Sequence, residues 1–210
     1  MLYKKMVLLS FKNQNKITSQ LVISSDLLLF FCYILAAMTS HYKGKETPEL
    51  VKFDEGNQSL VIKPGALTII WGEDDRYWKK PVADGPTELL QVSWLEVTGQ
   101  VSMNKFEKGE YSVKFRVELK PDNFGWSDGP VYLMVKCANE QRSWRKFDLS
   151  TLQPNKQFDV PLERPLKFKV TESRGTNDKL YFGMYEIWRG RWKGGLVIHE
   201  VVITPVTPAQ

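Results

Sequence analysis

The chain has 210 residues, of which 42% are hydrophobic and 25% are charged, as in an ordinary globular protein of one or two domains. Its net charge of +5 would suit an anionic partner, but Lys4, Lys5, Lys12 and Lys16 against Asp26 put +3 on residues 1–37 and leave +2 for residues 38–210. Residues 38–210 are therefore nearly balanced in charge, and the basic footprint expected of a dedicated nucleic-acid domain is weak.

Residues 1–37 begin basic and end in the apolar run Leu27–Ala37, which is shorter than the ~20 residues of a membrane-spanning helix. Three interpretations stay open: a late signal peptide or anchor, a buried segment, or a leader outside the folded domain. We favour the last, with Met38 as an alternative start, because Asp26 and the long polar region before the run weaken a signal assignment.

Residues 38–57 are polar and predict an arm, residues 58–205 a domain, and residues 206–210 a tail. Tyr111–Leu119 alternates apolar and polar residues, which predicts an antiparallel strand with one buried face. Other strands are expected at Leu60–Ile62, Leu67–Ile70, Leu89–Val97 continuing to Met103 with a break at Gly99, Val131–Cys137, Trp144–Leu149, Phe158–Leu162, Leu166–Val170, Leu180–Ile187 and Leu196–Thr204. Glycine- and proline-rich turns separate them, and long amphipathic helical patterns are missing. The sequence therefore predicts an all-β fold, an antiparallel β-sandwich with little helix.

The long polar loop from Gly72 to Pro86 is unusually rich in aromatic residues. Trp71 precedes it, and Tyr77 and Trp78 follow an acidic stretch that includes Asp75. Aromatic rings beside carboxylates suit a sugar, since a ring stacks on the apolar face of the sugar while carboxylates accept its hydroxyl and amide protons. The alternative is that both tryptophans plug the core at the end of a sheet.

Several separate blocks of the chain, in the right order, resemble the plant phloem protein 2 family, also described as the Nictaba-related lectins. They are Ile69-Ile70-Trp71, Arg76-Tyr77-Trp78, the stretch Glu88–Val97, Tyr185-Glu186-Ile187 and the stretch Trp192–Ile198. The resemblance runs from about Ser59 to Pro205 and implies a jelly-roll-like β-sandwich. It also implies a lectin that binds N-acetylglucosamine oligomers or N-glycan cores, in the cytoplasm, the nucleus or the phloem sap.

The resemblance assigns Trp71 and Trp78 to stacking on the sugar and Glu186 to accepting its hydrogen bonds. Tyr77, Asp75, Trp188 and Trp192 would border the groove, although the loop Trp188–Trp192 could instead pack against the sandwich. A second acidic position of some relatives falls on Lys179 here, which departs from the family pattern. A further exposed ring is expected at Trp126, within a turn-rich segment.

Other functions find less support. The chain has none of the common catalytic or nucleotide-binding motifs, so we expect no enzyme and no cofactor. The two cysteines, Cys32 and Cys137, do not make a disulfide framework, and their spacing is not that of metal ligands. This indicates a reducing compartment. Three further partnerships stay open: an interaction or structural module with a lost sugar site, a homodimer, and RNA bound by basic residues around Trp144 and Trp188. Contact with a membrane would require residues 1–37 to act as an anchor.

Overall fold

The computed structural model describes residues 40–127, 129–138, 141–171 and 178–206. The predicted leader, residues 1–37, lies outside the described residues. Within the described ranges, no helix is long and apolar enough to cross a membrane.

Thirteen strands and three short 3-10 turns make up the regular structure of the described residues. The strands are β1 (Val51–Asp54), β2 (Ser59–Ile62), β3 (Thr68–Ile69), β4 (Trp78–Lys79), β5 (Thr87–Leu89), β6 (Leu95–Ser102), β7 (Gly109–Phe124), β8 (Val131–Cys137), β9 (Ser143–Phe147), β10 (Gln157–Val160), β11 (Leu166–Val170), β12 (Lys179–Glu186) and β13 (Gly194–Pro205).

The strands form two antiparallel sheets. The five-stranded sheet has the order β3-β6-β12-β8-β9. The eight-stranded sheet has the order β1-β2-β13-β5-β4, and its β7 pairs with β13, β10 and β11. Apolar side chains from both sheets meet in one core cluster that includes Val97, Phe115, Phe182 and Ile198. The predicted all-β antiparallel sandwich with little helix is therefore confirmed.

The structure differs from the sequence prediction in several places. Val51–Asp54, expected in the polar arm, forms β1 and pairs with β2 in the eight-stranded sheet. Gly99 does not break a strand but lies inside β6, where a Cβ atom would come within 2.4 Å of the Phe182 ring. The interruption falls instead in residues 90–94, between β5 and β6. Strand β7 continues through the predicted turn to Phe124, because its far end pairs with Gly194 at the start of β13.

Trp78 belongs to the core, so the expectation that its ring is exposed in a polar loop is wrong. Its side chain is completely buried, and its backbone forms β4 opposite Leu89 of β5. Its indole N–H finds no hydrogen-bond partner among the described residues. Trp126 is likewise buried, and its indole Nε1 donates a 2.8 Å hydrogen bond to the carbonyl oxygen of Gly194. Two of the rings expected at the surface therefore stabilise the sandwich.

We expect Trp78→Ala to lower the free energy of unfolding by about 3–5 kcal/mol, the usual cost of truncating a buried tryptophan. Trp78→Phe should cost less, because phenylalanine keeps an aromatic ring and removes the unpaired N–H. Urea unfolding of both variants measures this, with Trp192→Ala as the control because the Trp192 side chain is 53% exposed. Equal stability of Trp78→Ala and wild type would place Trp78 outside the core.

Candidate functional site

Four aromatic side chains form a continuous cluster at one edge of the sandwich. The ring centroids of His41 and Trp71 lie 5.2 Å apart, those of Trp71 and Tyr77 6.0 Å, and those of Tyr77 and Trp192 6.3 Å. His41, Trp71 and Tyr77 are half-buried, whereas Trp192 is exposed. We call these four residues the aromatic patch.

Local backbone geometry explains why Tyr77 reaches this patch while its neighbour Trp78 enters the core. The carbonyl of Asp74 accepts hydrogen bonds from the amides of both Tyr77 and Trp78 and closes a turn just before β4. Successive residues of an extended chain point to opposite sides, so only one of the two rings faces outward. Tyr77 of the Tyr-Trp pair therefore lies at the surface, and Trp78 lies in the core.

The first ring of the patch is held by the polar arm. Trp71 adopts a left-handed backbone conformation with φ of 64° at the end of β3. Its amide donates a 3.1 Å hydrogen bond to Nδ1 of His41, and the neighbouring Tyr42 pairs with Ile69 through two backbone hydrogen bonds. The arm therefore packs along β3 and fixes the orientation of the Trp71 ring.

Acidic side chains lie beside the patch. Lys80 Nζ lies 3.3 Å from Glu73 Oε2 and 3.5 Å from Asp75 Oδ1, which brings both carboxylates to one side of the loop. Asp75 is the more exposed of the two. The guanidinium of Arg76 lies 5.3 Å from the centre of the Tyr77 ring, and its hydrogen bonds to Asp74 hold the pKa of that carboxyl below its ordinary value.

Glu186 is buried beneath the loop that carries Trp192, and it does not face solvent as the resemblance implied. Its Oε2 lies 2.5 Å from Nζ of Lys193, and its Oε1 accepts a 3.1 Å hydrogen bond from Nε of Arg189. Lys193 is equally buried, and its ammonium also donates a 3.1 Å hydrogen bond to the carbonyl of Ser93. Both oxygens of the carboxylate are thus occupied by cations of this chain.

Burial and charge act in opposite directions on this pair. Burial raises the pKa of the Glu186 carboxyl, but the hydrogen bonds and charges of Lys193 and Arg189 outweigh burial and bring the pKa below its ordinary value of 4.5. Burial lowers the pKa of Lys193 in spite of the attraction of Glu186. Glu186 is therefore ionised at neutral pH and serves as the anchor of the loop that follows it.

The anchored loop presents two exposed tryptophans. Trp188 is 47% exposed and contacts the ring of Tyr132 edge-on at 4.6 Å, while Trp192 extends the aromatic patch. Backbone contacts hold the far end of the loop. Lys193 pairs with Val92, and a Cβ atom on Gly125, which has φ of 80°, would lie 2.2 Å from the carbonyl oxygen of Trp192. Only glycine allows that approach.

Comparison with known proteins identifies the family. The family model described as phloem protein 2 matches residues 57–205. The chain belongs to the phloem protein 2 family. It is 34% identical to Protein PHLOEM PROTEIN 2-LIKE A9 of Arabidopsis thaliana over 80% of this chain and 97% of that protein.

Two further relatives are less similar. Protein PHLOEM PROTEIN 2-LIKE A1 of Arabidopsis thaliana is 31% identical over 72% of this chain, and this chain spans 64% of that protein. A protein named lectin from Luffa acutangula is 27% identical over 70% of this chain and 73% of its own length.

The structure brings together some of the predicted site residues and separates others. Trp71, Tyr77 and Trp192 share the aromatic patch, with Asp75 in the acidic loop beside it. Trp188 stands at the other end of the same loop as Trp192, and Trp78 and Glu186 are buried.

The sequence analysis missed Arg189 and Lys193 as partners of Glu186. Their spacing of three and seven residues from the glutamate was the available signal. No cluster of metal-ligating side chains occurs in the ranges that the structure describes.

We expect Glu186→Gln to lower the free energy of unfolding by about 3–5 kcal/mol, because it leaves the buried Lys193 charge uncompensated. The double variant Glu186→Gln/Lys193→Met should recover most of the loss, since no fully buried charge is left unpaired and the Arg189 side chain is 29% exposed to water. Urea unfolding of the three proteins tests this. A single variant as stable as wild type would contradict a buried, mutually dependent pair.

The lowered pKa of Glu186 also predicts acid sensitivity. A carboxyl whose pKa is lower in the folded than in the unfolded state contributes stability above its ordinary pKa of 4.5, and loses that contribution as the pH falls through the folded value. Between about pH 5 and pH 3, the free energy of unfolding should therefore fall more steeply for wild type than for the double variant. Parallel slopes would show that this pair does not contribute to acid denaturation.

Proposed function

We propose that the chain is a non-catalytic carbohydrate-binding protein, a lectin, whose aromatic patch binds glycans that contain N-acetylglucosamine. The observation that carries this proposal is the continuous run of rings from Trp71 through Tyr77 to Trp192 at the protein surface. Membership of the phloem protein 2 family and similarity to a protein named lectin support the same assignment.

The outer end of the patch supplies the stacking surface. The planes of the Tyr77 and Trp192 rings are inclined by 31° and their centroids are 6.3 Å apart, so a ligand that contacts one ring also lies close to the other. The ring of Trp192 is more than half exposed. The apolar face of a pyranose packs against such a surface, and the remaining hydroxyl and acetamide groups stay free to form hydrogen bonds.

The acidic loop supplies the hydrogen-bond acceptors. Asp75 has a largely exposed side chain, and Glu73 shares Lys80 with it. Exposed ion pairs of this kind contribute little to stability, so Lys80 can yield to a ligand at low cost. Hydroxyl or amide protons of a sugar can then be donated to the carboxylate oxygens, and hydrogen bonds to charged acceptors are about twice as strong as neutral ones.

Trp78 and Glu186 support this site from beneath. Trp78, the next residue after Tyr77, is buried in the core, and Glu186 holds the loop that presents Trp192 through its contacts with Arg189 and Lys193. Substitution of either buried residue would weaken sugar binding by displacing the rings, and would reduce stability at the same time. Loss of binding together with loss of stability would thus distinguish these two residues from those that touch the sugar.

We expect Trp192→Ala to weaken binding of the N-acetylglucosamine trimer by at least about fivefold, because one stacked ring contributes roughly 1–3 kcal/mol by analogy with nucleic-acid bases on aromatic side chains. Asp75→Asn should weaken it less, because the acceptor oxygen remains. Isothermal titration calorimetry measures both, and a melting curve checks the fold of each variant.

Leu162→Ala is the control, because Leu162 is an exposed apolar residue in the loop between β10 and β11. Trimer binding by Trp192→Ala at the wild-type affinity would remove the patch from the site. Absence of binding heat for every N-acetylglucosamine oligomer with the wild-type protein would refute the lectin function.

A further inference from the structure

A groove of about 540 Å³ crosses the outer face of the five-stranded sheet. The polar arm at Gly44–Glu46 forms one wall, and Arg142 stands at the opposite end. None of the residues of the aromatic patch lines this groove. It is therefore a separate feature of the surface that the proposed lectin site does not use.

Strand register defines the floor of the groove. One row of residues runs directly across all five strands: Thr68, Thr98, Gly183, Met134 and Trp144. Thr68, Thr98 and Met134 of this row line the groove, and Trp144 lies just beyond it on β9. Neighbouring strands are about 4.8 Å apart, so the row is about 19 Å long. No residue of the row carries a formal charge.

Two tyrosines flank this row on β12. A Cβ atom at Gly183 would lie 2.7 Å from the Tyr185 ring, which shows that this ring lies along the sheet over the glycine. The ring centroids of Tyr185 and Trp144 are 5.6 Å apart, and Tyr181 on the other side of the row is 39% exposed. The groove is therefore lined by two tyrosines, and the Trp144 ring continues the aromatic surface beyond Tyr185.

Several polar groups in the groove have no hydrogen-bond partner among the residues that the structure describes. Within the described part of the chain, the side chains of Thr68, Thr98 and Gln100 form no hydrogen bonds, and neither do the hydroxyl groups of Tyr181 and Tyr185. Burial, with a smaller contribution from Glu96, raises the pKa of Tyr185 to about 12, so its hydroxyl remains a donor at neutral pH.

The outer face of the eight-stranded sheet shows the opposite arrangement. Arg116 is paired with Asp159 at 2.7 Å and with Glu200 at 2.5 Å, and Glu200 also binds Lys63 at 2.7 Å. Most of the polar side chains near the centre of that face are satisfied by one another. A solvent-exposed sheet face can therefore have its polar side chains paired with one another. The groove differs from that face because, as far as the structure describes the chain, its hydroxyl and amide side chains are not paired.

We propose that this groove is a second glycan site, which binds a neutral, linear, β-1,4-linked oligosaccharide laid across the strands. Such a chain has flat apolar sugar faces for Tyr185 and Trp144 and hydroxyl groups for Thr98, Gln100 and Tyr181. It advances by about one strand spacing per sugar, so the row holds about four sugars. The proposal does not depend on the aromatic patch.

Charge favours a neutral occupant over single-stranded RNA. The cations Lys136 and Arg142 lie at the rim, and the arm contributes Glu46, which lies 4.0 Å from Lys179. A binding site for RNA would instead line the path of the phosphates with cations. The recessed shape beneath the arm also disfavours a second copy of this chain, since a self-complementary dimer needs matching flat or interlocking surfaces.

The test uses the Trp192→Ala protein as background, so that binding at the aromatic patch is weakened at least about fivefold. Isothermal titration calorimetry with cellohexaose and with the N-acetylglucosamine hexamer measures binding in this background. Tyr181→Ala, Trp144→Ala and Thr98→Arg are then added one at a time, with Leu162→Ala as the matched control. Tyr181 and Trp144 are both well exposed, so these variants should keep the fold, and melting curves verify it.

We expect the background protein to bind a hexasaccharide more tightly than the corresponding trisaccharide. Tyr181→Ala and Trp144→Ala should each raise the dissociation constant at least about fivefold, Thr98→Arg should abolish binding by filling the floor, and Leu162→Ala should have no effect. Failure of the background protein to bind either hexasaccharide would overturn the proposal. It would not affect the assignment of the aromatic patch, which the trimer titration of the wild-type protein tests separately.

Two other outcomes would also overturn it. A uridine decamer that binds in a salt-dependent manner, and that Thr98→Arg displaces, would make the groove a site for RNA. A dimer in sedimentation velocity that Thr98→Arg dissociates would make it an interface between copies of this chain.

Discussion

The buried ion pair between Glu186 and Lys193 joins the two sheets of this sandwich. Glu186 ends β12 at the centre of the five-stranded sheet, and Lys193 immediately precedes β13 of the eight-stranded sheet. Two opposite charges that are removed from water must remain together, because separation would leave each of them unpaired in a medium of low dielectric constant. This requirement fixes the seven-residue crossover between the sheets and, with it, the position of Trp192.

The two outer faces of the sandwich differ in how their polar side chains are paired. Strand β13 pairs with β7 along most of its length and with β2 and β5 on its other side, so it is an inner strand of the eight-stranded sheet. Its outer face is covered with ion pairs centred on Arg116 and Glu200. The outer face of the five-stranded sheet carries aromatic rings and, within the described residues, the unpaired hydroxyl groups of Thr98, Tyr181 and Tyr185. The sandwich therefore has one outer face on which charged side chains pair with one another and one on which hydroxyl groups and aromatic rings face a groove.

The fold was largely predictable because strand periodicity is a local property of the sequence. The alternation in Tyr111–Leu119 identified β7, and apolar runs between turn residues located most of the other strands. The errors occurred where a distant segment overrides the local signal. Gly99 and the turn-rich residues up to Phe124 both became part of strands, because Phe182 and Gly194 pack or pair against them.

The candidate site was likewise predictable in part from the sequence and in part only from the tertiary structure. The sequence by itself determined the fold class, the family, and the aromatic character of the segments around Trp71 and Trp192, because residue type and spacing are sufficient for these conclusions. Only the tertiary structure decided that Tyr77 faces the surface while Trp78 is buried, and that Glu186 binds Lys193 and Arg189. The reason is that the exposure of a side chain depends on which distant strands cover it. The one-residue alternation of an extended chain then makes one ring available to a ligand and commits its neighbour to the core.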